Sequence, residues 1–222
     1  MEILRAKTLD LRQTGALTPE QSANSTLNQE EALKQNTILK SAPRRLVLEL
    51  TNRCNLNCVM CGRNAADFQP TQFQMEWLKY FEPVRNLVEE VTLMGWGEPT
   101  VHPDFVEFLR WAYESGMRKY FCTNGMRLEQ LTPALFEYHT DIFAVSLDGA
   151  EEKTNQSIRR GSDFHKILKA LEQINRKKAQ EHLEYPYNNF VFTAMKQNIR
   201  ELPALVRLAG DIGVNEVKAV FL

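Results

Sequence analysis

The stretch Thr51–Cys61, TNRCNLNCVMC, contains three of the four cysteines of the chain, at positions 54, 58 and 61. Thiolates are soft anionic ligands that suit iron-sulfur clusters and zinc, and three of them in eight residues can surround one metal centre. A disulfide framework is the alternative explanation for clustered cysteines. Four cysteines in 222 residues are too few for a disulfide scaffold, and the N-terminus lacks the apolar core of a secretory signal. The stretch therefore predicts a metal-binding loop.

The residues around the three cysteines carry a family resemblance. An apolar segment, LVLEL (Leu46–Leu50), precedes the CxxxCxxC spacing, and Met60 stands just before the last cysteine. This arrangement resembles the radical S-adenosylmethionine (SAM) enzymes. The resemblance implies that Cys54, Cys58 and Cys61 hold a [4Fe-4S] cluster, that the amino and carboxylate groups of SAM chelate the fourth iron, and that Met60 packs near the adenine. A three-thiolate zinc or redox loop is the alternative from the cysteines alone.

The composition and net charge of the chain argue against some classes of function. The chain is 43% hydrophobic and 25% charged, as is ordinary for a soluble globular protein, and its length fits one large domain or a small pair. A formal net charge of −1 gives no general attraction to nucleic acid or to an anionic membrane surface. The sequence has no apolar stretch of the roughly 18 residues needed to span a bilayer. We expect a cytoplasmic protein, because a reducing compartment keeps thiols available for metal.

Residues 1–43 are predicted to be a polar N-terminal arm or a set of short helices. They are rich in Gln, Asn, Ser and Thr and carry no recognisable site. Leucines and isoleucines in this region (Leu4, Leu9, Leu11, Leu27, Leu33, Ile38 and Leu39) are expected to lie on the domain if helices form. Residues 44–222 are predicted to form the core domain, which ends within its sixth strand. That unfinished edge suggests a fragment or a truncated gene product.

From Leu46 onward, strand and helix patterns alternate. The predicted strands are Leu46–Leu50, Glu90–Gly95, Lys119–Thr123, Ile142–Asp148, Phe190–Met195 and Val217–Leu222. The predicted helices are Trp77–Val88 with Pro83 inside it, Pro103–Ser115, a segment opened by Thr132 and Pro133 that runs through Tyr138, a helix capped by Ser162, and a helix from Asn198 to Gly213 with Glu201 completing a capping box.

Six strands separated by helical segments indicate an α/β fold with parallel strands, right-handed crossovers and helices on the outside. The resemblance implies a partial (βα)6 radical SAM barrel over Leu46–Leu222. Such folds place their chemistry at the carboxyl ends of the strands. Candidate site residues are therefore expected directly after each strand.

The motif after the second strand is GWGEP, Gly95–Pro99. Glycines let a backbone approach a ligand closely, and Glu98 offers an acceptor. The motif resembles the family's GGEP, whose backbone and acidic residue meet the amino group of SAM, although Trp96 replaces its first glycine. The resemblance implies SAM contacts for Gly97 and Glu98. By itself the motif equally fits a tight turn.

Polar residues also follow the third and fourth strands. Thr123 and Asn124, read alone, belong to a turn, and the resemblance implies that they contact the methionine part of SAM. Ser146 and Asp148 resemble the family's ribose-binding strand, and Arg159 resembles the arginine that meets the SAM carboxylate. The alternatives are a helix cap for Asp148 and a solvated charge for Arg159.

The fourth cysteine, Cys122, is the only candidate for a further cluster ligand. Strand alternation puts Cys122 on the face opposite Thr123. If Thr123 faces the cavity, the thiol faces the helix layer, so we expect a buried and inert cysteine.

The resemblance implies an enzyme that cleaves SAM reductively to a 5′-deoxyadenosyl radical, which takes a hydrogen atom from a substrate. The expected partners are a one-electron donor such as flavodoxin or ferredoxin, and a peptide or small-metabolite substrate. The motifs are similar to those of members with a C-terminal SPASM-type auxiliary-cluster domain. The alternative is a non-catalytic iron-sulfur or zinc-binding module.

Overall fold

Six parallel strands form the central sheet in the computed structural model, which describes residues 16–64 and 67–221. Every neighbouring pair of the six is parallel. In sheet order they are β1 (Arg45–Leu48), β3 (Glu90–Leu93), β4 (Arg118–Thr123), β5 (Ile142–Ser146), β7 (Tyr187–Ala194) and β8 (Glu216–Phe221). Two short strands, β2 (Asn57–Cys58) and β6 (Arg159–Arg160), pair separately. The predicted α/β class and the parallel strands are confirmed.

Four helices pack on one face of this sheet: α2 (Phe105–Glu114), α3 (Leu128–Glu137), α5 (Phe164–Gln180) and α6 (Leu202–Asp211). Two further helices, α1 (Pro19–Leu33) and α4 (Glu152–Ile158), contribute no side chain to the core between these four and the sheet. The main core lies between sheet and helices, where Phe121 and Phe143 stack with ring centroids 5.7 Å apart. The opposite face of the sheet carries a smaller apolar cluster that includes Tyr120, Ala144 and Tyr187. The period-2 alternation predicted for the fourth strand is therefore present.

Two of the predicted helices were wrong, and in each the error lies near a proline. The segment Trp77–Val88 is a 3-10 helix, Met75–Tyr80, followed by turns, because Pro83 lacks the N–H that a continuing helix needs. The helix assigned to Thr132 and Pro133 begins at Leu128 instead, with Pro133 in its interior. The Thr132 hydroxyl donates to Leu128 O (2.9 Å), so it does not cap a helix.

The predicted cap of the longest helix is displaced by one residue. Asp163, rather than Ser162, is the N-cap of α5, and its carboxylate accepts from Lys166 N–H (2.9 Å). The Ser162 hydroxyl instead accepts from the side-chain amide of Asn155 (3.1 Å).

The capping box at Asn198 and Glu201 was also wrong. Asn198 makes no side-chain cap, and residues 199–201 form a 3-10 turn before α6. The Glu201 carboxylate accepts from Ala150 N–H (2.8 Å) and from the hydroxyl of Thr154. A side chain that binds another loop is not free to cap its own helix.

The described part of the N-terminal region contains α1, which Thr18 and Gln21 begin with a capping box. Its buried face is polar, because Gln21 donates to Val88 O (2.8 Å) and Asn24 to Ala42 O (3.1 Å). The apolar residues Leu27, Leu33, Ile38 and Leu39 are exposed (37%, 85%, 86% and 51%), so they do not supply the contacts between α1 and the domain. Leu4, Leu9 and Leu11 lie outside the described residues. The domain boundary after residue 43 stays a prediction.

In the part of the chain that the structure describes, no helix is both long enough and apolar enough to cross a bilayer.

Candidate active site

The cysteine loop leaves β1 and is held against a segment about one hundred residues later in the chain. Strand β2 pairs antiparallel with β6, and Cys58 lies opposite Arg159 in that pair. The pairing is extended by a hydrogen bond from Val59 N–H to Ile158 O (2.9 Å). The loop and the candidate SAM-binding arginine are therefore fixed to each other through the backbone.

The three loop thiols line a cavity of about 260 Å³ at the carboxyl ends of the strands. Of the eleven residues predicted for the site, all but Asp148 border it: Cys54, Cys58, Met60, Cys61, Gly97, Glu98, Thr123, Asn124, Ser146 and Arg159. The sheet brings them together because parallel strands end at the same edge.

Glu98 ties the second and third strand ends together. Its carboxylate is 3% exposed and accepts four hydrogen bonds: from the N–H and hydroxyl of Thr100 (3.2 and 2.6 Å), the hydroxyl of Thr123 (2.7 Å) and the N–H of Asn124 (2.6 Å). Burial raises the pKa of Glu98, and these hydrogen bonds oppose the rise. Glu98 therefore positions the backbone that borders the cavity. Its predicted contact with the cofactor stays a prediction.

Asn124 reaches from the third strand end to the cysteine loop. Its side-chain amide donates to the side-chain oxygen of Asn55 (2.7 Å) and approaches Cys54 Sγ at 3.7 Å. Its own side-chain oxygen accepts from Met126 N–H (3.0 Å). Asn124 thus links the first cysteine to the sheet.

Asp148 lies behind the cavity and pairs with Arg159. The Nε atom of Arg159 is 2.7 Å from the Asp148 carboxylate, which also accepts from Thr193 N–H (2.6 Å). Asp148 is fully buried, and burial raises its pKa while Arg159 opposes the rise. Arg159 is buried and borders the cavity, whereas Arg160 is exposed. The helix-cap alternative for Asp148 does not hold, because α4 begins after Glu151.

Gly97 and Trp96 pack the GWGEP segment against the cysteine loop. Glu98 N–H donates to Arg53 O (2.8 Å), and a side chain at Gly97 would overlap the backbone of residues 51–53. The Trp96 ring covers Gly62, where a Cβ would lie 3.0 Å from Cη2 and closer still to Cζ3. The Trp96 N–H donates to the carboxylate of Glu49 (2.5 Å). The backbone contact at Gly97 needs a residue without a side chain, whereas the exposed Trp96 ring could move away from a side chain at Gly62.

The orientation predicted for Cys122 was wrong. Its thiol borders the cavity and packs beside Tyr120 and Ala144 on the face of the sheet opposite the main core, whereas Phe121 points to the helix layer. Burial raises the pKa of the Cys122 thiol. The alternation was sound, but Thr123 stands at the end of its strand and turns its hydroxyl toward Glu98.

Residues 48–209 match the sequence profile of the Radical SAM superfamily. The chain belongs to this superfamily. Members bind a [4Fe-4S] cluster and SAM, so these are the cofactors of the radical SAM domain described here.

Two curated relatives and a solved structure place the radical SAM chain among longer proteins. It is 27% identical over 188 residues to the AdoMet-dependent heme synthase of Methanosarcina barkeri, covering 83% of this chain and 52% of that protein. It is 32% identical over 142 residues to the mycofactocin maturase MftC of Mycobacterium tuberculosis, covering 60% and 34%. The fold is similar to that of Streptococcus suis SuiB bound to the precursor peptide SuiA (TM-score 0.70, 18% identity), covering 93% of this chain and 45% of SuiB. The chain thus spans about half the length of these proteins or less.

The donor set of the loop fits a cluster with one open iron. Cys54, Cys58 and Cys61 are free and partly exposed, and all three face the same cavity. Burial raises the pKa of Cys58, as do the neighbouring thiols, and Arg159 lowers it. Within residues 16–64 and 67–221, no three Cys, His, Asp or Glu side chains converge tightly enough to hold a single metal ion. The three thiols therefore surround an open space and do not converge on the position of a single ion.

Sequence reasoning missed the contacts that cross between segments. The β2–β6 pairing, the Asn124–Asn55 hydrogen bond and the Trp96–Gly62 packing join residues far apart in the chain. Only Gly62 left a sequence signal, as a glycine directly after the last cysteine. Met94, two residues before Trp96, also borders the cavity and was not predicted.

Proposed function

We propose that the chain is the catalytic core of a radical SAM enzyme in which Cys54, Cys58 and Cys61 hold the cluster. The observation that supports this is the convergence of three thiols and the strand-end polar groups on one cavity. When bound, the cluster supplies an electron that splits a carbon–sulfur bond of SAM, giving methionine and a 5′-deoxyadenosyl radical that takes a hydrogen atom from the substrate.

The residues around the cavity are proposed to bind and orient SAM. Arg159 has five N–H donors, and with Nε on Asp148 its other nitrogens remain near the cavity to meet the SAM carboxylate. Ser146 and Asp148 are proposed to bind the ribose hydroxyls. Asp148 would have to make this contact in addition to its ion pair with Arg159. Met60 would pack near the adenine.

The Thr123–Asn124 segment and Gly97–Glu98 would border the methionine part of SAM. Glu98 holds Thr123 and Asn124 in place through hydrogen bonds within the protein. Groups that the protein's own hydrogen bonds hold in place lose less conformational freedom on binding. This favours tight positioning of the sulfonium relative to the thiols.

The substrate and the partners are proposed from the relatives. A mycofactocin maturase and a peptide-bound SuiB favour a peptide, whereas the heme synthase favours a small metabolite. A one-electron donor such as flavodoxin or ferredoxin is proposed as the reductant, in a reducing cytoplasm. An auxiliary-cluster domain of the SPASM type would lie in a longer protein.

Anaerobic reconstitution tests the proposal. We expect about four irons per chain with broad visible absorption, SAM binding by calorimetry, and 5′-deoxyadenosine after reduction. A triple Cys54, Cys58 and Cys61 to Ala variant should lose iron and SAM cleavage, and Cys122→Ala should keep its iron. Zinc without iron, or cleavage by the triple variant, would overturn the proposal. An iron-loaded protein that binds no SAM would support the non-catalytic module.

A further inference from the structure

A second cavity, of about 730 Å³, lies at the amino-terminal ends of the strands and is lined by none of the residues of the thiol cavity. Ile142 borders it at the start of β5, whereas Ser146 borders the thiol cavity at the end of the same strand. Four residues of strand separate their Cα atoms by about 13 Å. The volume falls within the roughly 300–1,000 Å³ of small-molecule sites.

Lys178, at the carboxyl end of α5, lines this cavity and is only 7% exposed. Its ammonium donates to the side-chain oxygen of Asn215 (3.1 Å), which also accepts from Asn188 N–H (3.0 Å). An ammonium has three donors. Among the described residues, no carboxylate lies within ion-pair distance of Nζ. Burial lowers the pKa of Lys178 without any opposing charge.

The other buried charges of the wall are compensated. Lys119 lies 3.0 Å from the Asp141 carboxylate and donates to Met117 O. Arg118 pairs with Glu89, which is outside the wall, and Glu90 pairs with Arg45. Glu184 is exposed at the surface, where water solvates it. Lys178 is therefore the buried cation whose charge this cavity leaves unbalanced.

Aromatic rings stand beside the charged groups. The His139 ring lies 5.0 Å from the ring of Tyr185, and both border the cavity. Such rings offer an apolar surface to the body of a ligand, while a buried cation fixes a charged end.

We propose that this cavity, the lysine cavity, binds a small anion whose carboxylate or phosphate oxygens contact the Lys178 ammonium and whose body packs against Tyr185 and His139. A buried charge is costly unless it is paired, and an anionic oxygen supplies both the charge and the acceptors that Lys178 lacks. The proposal does not depend on the cluster or on SAM.

Thermal unfolding of the cluster-loaded chain tests it, with inorganic phosphate and benzoate as probes at matched ionic strength. Binding at tenfold excess over Kd should raise the unfolding midpoint by about 3–5 °C. Lys178→Met should abolish this shift. Lys177→Met should keep it, because the half-buried Lys177 pairs with Glu181 (3.7 Å) and does not line the cavity. A shift with phosphate alone identifies phosphate chemistry, and one with benzoate alone identifies an aromatic carboxylate.

No shift in the wild-type protein at any phosphate or benzoate concentration of matched ionic strength, or an equal shift in Lys178→Met, would overturn the proposal. Labelling the lysines of the wild-type protein tests the site even if Lys178→Met does not fold. After reductive ¹³C-methylation of the lysines, the resonance lost in Lys178→Arg should move on addition of the effective probe. A stationary resonance would count against the site as firmly as an absent thermal shift.

Discussion

Replacing Gly97 with alanine should dislodge the cysteine loop from the sheet, because the backbone of the loop lies directly against this glycine. An added Cβ would lie 2.5 Å from Arg53 O and 2.6 Å from the carbonyl carbon of Asn52, and would also overlap Thr51 O. All three are backbone atoms, so no side-chain rotation relieves the overlap. The loop would have to retreat from 2.5 Å to at least the 3.4 Å at which ordinary contact begins.

The cost of this retreat has two parts. Overpacking a tight contact costs about 1–3 kcal/mol. Moving the loop also weakens the hydrogen bond from Glu98 N–H to Arg53 O (2.8 Å), which contributes about 1 kcal/mol. We expect the free energy of unfolding to fall by about 2–4 kcal/mol, and the midpoint of urea denaturation by about 1–2 M. Iron content after reconstitution should fall as well, because the loop carries the three thiols.

Gly210→Ala is the matched control, since a Cβ at Gly210 meets no atom within 4 Å. Gly210 lies in α6, where alanine favours the helix and should leave stability unchanged or raise it by up to about 1 kcal/mol. A Gly97→Ala protein with the wild-type midpoint and iron content would refute the reasoning that this contact holds the loop in place.

Three further perturbations test the surrounding structure. Glu98→Gln should lower the free energy of unfolding in urea by about 1–3 kcal/mol, because both carboxylate oxygens accept an N–H and the glutamine amide nitrogen must face one of them. The exposed control Glu172→Gln should leave stability unchanged, and equal costs for the two variants would contradict the hydrogen bonding described for Glu98. Trp96→Ala should speed the reaction of the cluster-free loop thiols with a disulfide reagent severalfold, because the ring covers Gly62. Trp77→Ala should not change that rate, and a Trp96→Ala rate identical to wild type would show that the ring does not shield the thiols. Burial lowers the pKa of Lys178, so the unfolded chain holds this proton more tightly and wild-type stability gains from rising pH up to the ordinary pKa of 10.5. Lys178→Met lacks that gain, so its stability relative to wild type should decline as the pH rises toward 10.5, and a constant difference would contradict the sign.

The position of the site at the carboxyl ends of the strands could be predicted because its signals are local. Apolar runs mark the strands, and the polar residue after each run lands at the shared carboxyl edge, which is how Thr123 and Ser146 came to border one cavity. The same logic could not orient Cys122, because Cys122 and Thr123 both border the cavity although they alternate along the strand. Nor could it find the pairing of Cys58 with Arg159, since no local pattern encodes a partner so distant in the chain.

Two of the failed cap predictions, at Ser162 and Asn198, share a physical cause that bears on Arg159. Asn198 carries a capping signal, yet its amide donates to Asp148 O (3.0 Å) and to Thr193 O (2.9 Å). Asn155, inside α4, accepts from Asp148 N–H (2.9 Å). Short polar side chains cap helices because they bind nearby backbone groups, and here the nearest unsatisfied groups belong to other loops.

These diverted side chains fix the backbone on both sides of Asp148, and Asp148 in turn fixes the guanidinium of Arg159. A buried arginine held by a single carboxylate would otherwise have the freedom of its long side chain. Asn198, whose capping signal failed, is thus one of the residues that set the position of the candidate carboxylate-binding group. Conflict between local pattern and structure is expected where a side chain serves a functional site, and the loop after β5 is such a place.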